Sequence, residues 1–227
     1  MAALHIDTEL YKLKNSLQEM WVIVDKQLTK AQVAFLDYDK GVAREVISRE
    51  KMVNALELKI DSECENFIAR NNPVAIDLRL ALAYIKINNN LERIGDFAEG
   101  IALFVLNNMS EKLPNDFAKK LRIEEMFNEV QDMFTLAKEA LHDENSDKAE
   151  KIFGIDNLVD EINHAAIRII ADEIKLHPEK IEEYLYLHAV IRKLERMGDR
   201  CNNIAEEIVF YLDAKILKHN TEEKLKL

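Results

Sequence analysis

The sequence predicts an all-α protein built as two tandem up-down three-helix bundles. Three observations predict it. Glycine and proline are scarce, 5 and 3 of 227 residues, too few for the corners of a β-sandwich or the strand ends of a doubly wound α/β fold. Apolar residues recur at three- and four-residue spacing through six successive segments. LERIGD at 91–96 returns as LERMGD at 194–199, so one unit is used twice. At an offset of 106 the match extends upstream, where Ala43, Val46, Glu50, Val53 and Asn54 face Ala149, Ile152, Asp156, Val159 and Asp160. The predicted units are residues 1–111 and 112–227.

The first helix carries the seam Leu10, Leu13, Leu17, Trp21, Val24 and Leu28. Asp37, Asp39 and Gly41 mark its turn. The second, from about 40 to 71, turns Val46, Val53, Leu56, Ile60 and Phe67 inward. Asn71-Asn72-Pro73 ends it, because proline disfavours helix at the residue before it and suits the first turn of the next. The third holds a heptad beat from Ile76 to Val105. Pro114-Asn115-Asp116 opens the second unit, whose first helix carries Phe117, Leu121, Phe127, Val130, Phe134 and Leu141. A turn at 143–147, a helix from about 147 to 176 and a break at His177-Pro178 follow. The last helix runs through Leu194, Met197, Cys201, Ile204, Ile208 and Tyr211, and the charged tail from Lys218 is expected to fray.

A net charge of −11 leaves no basic stripe for the phosphates of nucleic acid. Cys64 and Cys201 lie far apart in helical patterns beside apolar residues, which fits buried free thiols in a reducing compartment. The N-terminal stretch has early acids and no apolar h-region, and no apolar run reaches about 18 residues, so a cytoplasmic protein without membrane insertion is expected.

Residues i and i+4 share a helix face. Glu92, Asp96 and Glu99 form one acidic stripe, and Glu195, Asp199 and Asn203 its counterpart. Both lie opposite the apolar seam, which puts them at the surface. An isolated acidic pair is ordinarily a solvated face, with Arg93 reaching Asp96 and Arg196 reaching Asp199. Hairpin geometry adds to this. Residues equally far from a turn sit side by side, which sets Glu92 and Asp96 against Glu50 and Asn54, and Glu195 and Asp199 against Asp160 and Asp156. Converging carboxylates repel unless protons or a cation neutralise them, and oxygen-only ligation suits Mg²⁺, Mn²⁺, Ca²⁺ or iron. Three carboxylates against four predict a weaker first site, with Glu57 or Glu99 as the residues that could compensate. Glu57 and Asp61 read as an exposed flank. Gly95 and Gly198 sit mid-helix between the paired acids, each at a cost of about 1 kcal/mol against alanine, which predicts close approach by a helix or a bound species. Glu139/His142 and Glu161/His164 have ExxH spacing, yet lie too far apart along the helices to share a metal, and no nucleophile–base motif, P-loop or dinucleotide fingerprint is present.

The segments VNALELKIDSEC (53–64), DLRLALAYIKINNNLERIGDFAEGIA (77–102) and LERMGDRCNNIAEE (194–207) resemble the PhoU family of phosphate-transport regulators. The motif ERxGDxxxNIA is complete as Glu195, Arg196, Gly198, Asp199, Asn203, Ile204 and Ala205, whereas the first copy has Gly100 in the asparagine place. The resemblance implies tandem three-helix bundles and E/DxxxD pairs holding metal ions, foremost iron, with zinc, manganese, magnesium and calcium as the other candidates. The matching residues are Asp156, Asp160, Glu195 and Asp199, and in the first copy Glu50, Asn54, Glu92 and Asp96. It further implies a non-enzymatic cytoplasmic negative regulator of phosphate uptake and phosphate-starvation signalling. As partners it implies the ATPase of a phosphate-specific ABC transporter and a phosphate-sensing histidine kinase, with a homodimer also open. A metal-dependent enzyme or a metal-storing bundle is the alternative.

Overall fold

The computed structural model describes residues 2–215 and 217; the expected frayed tail from Lys218 lies outside them. Among the described residues all regular structure is helical. The first bundle is α1 (Ala2–Asp37), α2 (Lys40–Asn71) and α3 (Ile76–Asn107). The second is α4 (Asn115–Leu121), α5 (Ile123–His142), α6 (Ser146–Glu150), α7 (Ile152–Leu176) and α8 (Ile181–Asp213), with a 3₁₀ turn at Pro178–Lys180.

The turn chemistry read from the sequence operates as expected. The Asp39 side chain caps α2 by accepting from the Gly41 and Val42 N–H groups at 2.8 and 3.0 Å, satisfying two donors that lack an intrahelical partner. Asn72 closes the same helix in the left-handed conformation, φ 46°, a state asparagine tolerates. Two rods expected to be continuous are interrupted. At Arg122 the chain turns left-handed, φ 53°, splitting α4 from α5. Its guanidinium bonds Glu125 through Nε and NH2 at 2.6 and 2.9 Å and Glu161 through NH1 at 2.7 Å. These bonds hold a break that no glycine or proline announces. At Lys151 a short i→i−3 bond from Gly154 N–H, 3.2 Å, separates α6 from α7.

The two bundles share one apolar core. The Phe35 ring stacks on Phe104 at 6.0 Å and meets Phe127 at 5.5 Å, and Trp21 meets Phe134 edge-on at 4.7 Å, so α1 is keyed to α5 by aromatic contacts. The helices bearing the repeated motif, α3 and α8, pack on each other. Lys86 reaches buried Glu207 across that seam at 2.9 Å, and Arg79 Nε donates to the Tyr211 carbonyl at 3.2 Å. The second halves of both repeats therefore form the middle of the molecule, and α2 and α7 lie on the outside.

Phe35→Ala should lower the unfolding free energy by about 3–5 kcal/mol, since it opens a cavity where the bundles meet. Ala75 holds φ 51° and ψ −116° before α3, so Ala75→Gly should raise it by about 1 kcal/mol through relief of backbone strain. Urea-denaturation midpoints of the two variants check both signs.

Candidate functional site

The outer helices carry their acids to the mid-helix glycines. A side-chain carbon at Gly95 would lie 3.0 Å from Gln27 Oε1, 3.3 Å from Val53 Cγ1 and 3.6 Å from Glu50 Oε2. At Gly198 it would lie 3.1 Å from Asp156 Oδ1 and 3.6 Å from Met133 Sδ. Glu50 and Asp156 thus lie over equivalent glycines, as the offset of 106 requires, with Asp156 in tight approach to Gly198 and Gln27, the partner of Glu50, in tight approach to Gly95. The glycines serve helix packing and the acidic site together.

In the first bundle Glu50 is 6% exposed. Gln27 Nε2 donates to its Oε2 at 3.0 Å, while Glu50 Oε1 and Gln27 Oε1 are buried without a hydrogen bond. Burial pushes the Glu50 carboxyl up to about 7; the Gln27 hydrogen bond opposes this, and the charges of Asp96, Glu99 and Glu92 add to it. Burial also raises Glu92, with Asp96 and Glu57 adding and Arg93 opposing. Glu99 is raised by burial and by Asp96, and Glu57 by burial and by Asp61. These carboxylates therefore share one field. The sequence expectation of an acidic stripe wholly at the surface needs correcting, because the Glu92 side chain keeps only 12% of its exposure. Asn54 is exposed. Glu99, a carboxylate expected to be able to compensate for Asn54, acts on Glu50 and is acted on by Asp96. Nor are Glu57 and Asp61 a detached flank: Asp61 accepts from Asn88 Nδ2 at 2.9 Å, and Glu57 feels Asp96.

In the second bundle Glu195 is raised by burial, then by Asp199 and Asp160, with Arg192 and Arg196 opposing. Asp156 and Asp160 are half-buried, Asp199 is exposed and Asn203 is half-buried. A side-chain carbon at Gly100, the counterpart of Asn203, would meet Lys193 Cε at 2.7 Å and Nζ at 3.0 Å. The asparagine's missing volume in the first copy is thus filled by a lysine from α8. Arg93 NH1 holds Asp96 at 3.0 Å, the expected i,i+3 pairing.

Sequence reasoning missed Gln27. Its signal was a polar residue beside Leu28 on the buried seam of α1, with Met133 at the matching place of the second copy. The ExxH residues stay apart: Glu161 is bound to Arg122 and Glu139 to Lys148. Cys64 and Cys201 are free and buried; burial pushes the Cys64 thiol up to about 12 and raises Cys201 as well, so neither is a nucleophile at neutral pH. As placed, no three His, Cys, Asp or Glu side chains among the described residues are gathered tightly enough to share one metal ion.

The PhoU domain model matches residues 17–105 and again 123–208, once on each bundle. The chain belongs to the PhoU family. It is 30% identical over 214 residues to "Phosphate-specific transport system accessory protein PhoU homolog 1" of Thermotoga maritima, covering 94% of this chain and 91% of that protein. To the Escherichia coli accessory protein PhoU it is 30% identical over 217 residues, covering 94% and 87%. Among solved structures, PhoU from Pseudomonas aeruginosa superposes with a TM-score of 0.86 at 30% identity, covering 92% of this chain and 99% of that one. The phosphate transport system regulatory protein PhoU from Streptococcus pneumoniae superposes with a TM-score of 0.81 at 25% identity, covering 94% and 99%. The tandem helical-bundle architecture read from the repeat is the architecture of these proteins.

The raised Glu50 carboxyl fixes a sign for pH. Between its ordinary value of 4.5 and about 7 the metal-free folded state binds more protons than the unfolded chain. Stability therefore falls as pH rises through that window, and the penalty is complete above it. Glu50→Gln should remove most of this slope, leaving the variant about 1–3 kcal/mol more stable than the parent at about pH 8 and little different at about pH 4. Urea midpoints at the two pH values in chelator check this.

Proposed function

We propose that this PhoU-family protein is a cytoplasmic negative regulator of phosphate uptake and of the phosphate-starvation response. In this reading it is an adaptor between the ATPase of a phosphate-specific ABC transporter and a phosphate-sensing histidine kinase. The observation that carries the reading is the double family match over nearly the whole chain, with relatives of the same length named as accessory proteins of phosphate-specific transport. Two features support it. No helix among the described residues is long and apolar enough to cross a membrane, which suits an accessory protein working beside a transporter rather than within it. The chemistry-bearing side chains are acids over helix glycines, with no nucleophile–base pair between them, which suits a role other than turnover.

The acidic clusters enter this reading as sites for hard cations, iron above all, with manganese, magnesium, calcium and zinc as the other candidates. Glu50, Glu92, Asp96 and Glu99 would hold an ion on the first bundle, and Asp156, Asp160, Glu195 and Asp199 on the second, with Asn54 and Asn203 as neutral oxygens at their edges. The donor set fits such an ion: all donors are oxygen, the carboxylates raise one another, and buried Glu50 Oε1 has no hydrogen-bond donor. Binding would draw together carboxylates that do not yet share a ligand position. The ion would supply positive charge that cancels their repulsion, and the residues themselves would fix its place against α3 and α8.

Deleting the gene from its host should raise a phosphate-starvation promoter several-fold in phosphate-rich medium. The intact gene should restore repression, and a Glu50→Ala/Asp156→Ala copy should restore it poorly at equal protein level. A promoter unchanged by a clean deletion would count against the regulatory reading, and turnover of phosphate esters by the pure protein would favour an enzyme instead.

A further inference from the structure

We propose that the groove between α1 and α5, floored by Tyr84 of α3, binds a small anion carrying an aromatic ring. The groove encloses about 580 Å³, inside the range of about 300–1,000 Å³ typical of small-molecule sites. Its floor is built from Leu17, Trp21 and Tyr84, all under 5% exposed, while Tyr11 stands at the mouth, 66% exposed. Three aromatic side chains around one cavity suit a flat, apolar body.

Two further observations say what the body should carry. The Trp21 indole N–H is buried and has no acceptor within the protein. A buried donor left without a partner is costly, and this one belongs to a residue of the groove's floor. The charge along the rim is also unbalanced. Lys14 is taken by Glu144 at 3.0 Å, and Glu139, the acid of the lining, is taken by Lys148 at 3.3 Å. Lys138 of α5 lines the same groove and makes no hydrogen bond or ion pair among the described residues. An uncommitted lysine lining a groove with an aromatic floor favours an anion. A cationic ligand would meet the same rings, yet with Lys14 and Glu139 each paired it would face the unpaired charge of Lys138.

The site is separate from the acidic clusters in residues and in charge. It shares α1 and α3 with the first of them but none of its residues, Trp21 standing six residues before Gln27 and Tyr84 eight before Glu92. Its second-copy equivalent is absent, since the place of Trp21 at an offset of 106 is Phe127, which is packed on Phe35.

The test uses the full chain and 1-anilinonaphthalene-8-sulfonate as the aromatic anion. Trp21 is the protein's one tryptophan, so energy transfer from it to the dye reports binding to the chain, and the Lys138 variants locate that binding in the groove. The expected result is saturation at one dye per chain with parallel quenching of Trp21. Lys138→Ala should weaken binding about tenfold, as expected for one lost charge-assisted contact, and Lys138→Arg should recover it. Circular dichroism of both variants should match the parent. N-phenyl-1-naphthylamine, the uncharged counterpart, should bind more weakly and be indifferent to Lys138→Ala. Non-saturating binding, dye binding without quenching of Trp21, or equal binding by the parent and Lys138→Ala would overturn the proposal.

Discussion

The seating of a carboxylate against a mid-helix glycine is the constraint on which the rest of this structure depends. A glycine inside a long helix costs about 1 kcal/mol, and this chain accepts that cost twice, at equivalent places. What it gains is proximity. Without a Cβ at Gly95 or Gly198, the neighbouring helix can lay Glu50 or Asp156 directly on the backbone of α3 or α8, within the field of the acids that follow in the same motif. A side-chain carbon at Gly95 would press on Gln27 Oε1 at 3.0 Å, and one at Gly198 on Asp156 Oδ1 at 3.1 Å, so the polar side chains over each glycine would have to shift.

The clusters are held under electrostatic tension because their scaffold is indifferent to them. The shared core and the α3–α8 seam set the helix positions, and the acids are carried where those helices put them. The acids respond by protonation: their carboxyls are raised where burial and like charge coincide. A cation would relieve the same repulsion without protons. The fold thus presents two acidic patches whose charge state depends on pH.

Much of the fold could be read from the sequence because helical periodicity, proline and glycine punctuation and an internal repeat are local signals. α2 runs over the residues its pattern and its Asn-Asn-Pro stop define, and the repeat placed Glu50 and Asp156 in equivalent seats before any coordinates. The break at Arg122 was not legible, because its cause is an ion-pair network reaching Glu161 on another helix rather than a breaker residue. The site was legible in its motif residues and less so in its depth. Helical-wheel reasoning assigns a face to Glu92, but only the packing of α2 shows that this face is covered. Gln27 and Lys193 enter through contacts between helices, and a one-dimensional pattern does not carry those.

The central claim is that the acids over the two glycines are cation sites rather than solvated surface. The most direct measurement is the melting temperature of chelator-treated protein titrated with Mn²⁺ at neutral pH. The account predicts a saturable rise, with stabilisation growing to about 2.7 kcal/mol at a hundredfold excess over the dissociation constant, and its loss in the Glu50→Ala/Asp156→Ala double variant. A melting temperature independent of Mn²⁺, or a rise of equal size in the double variant, would contradict it.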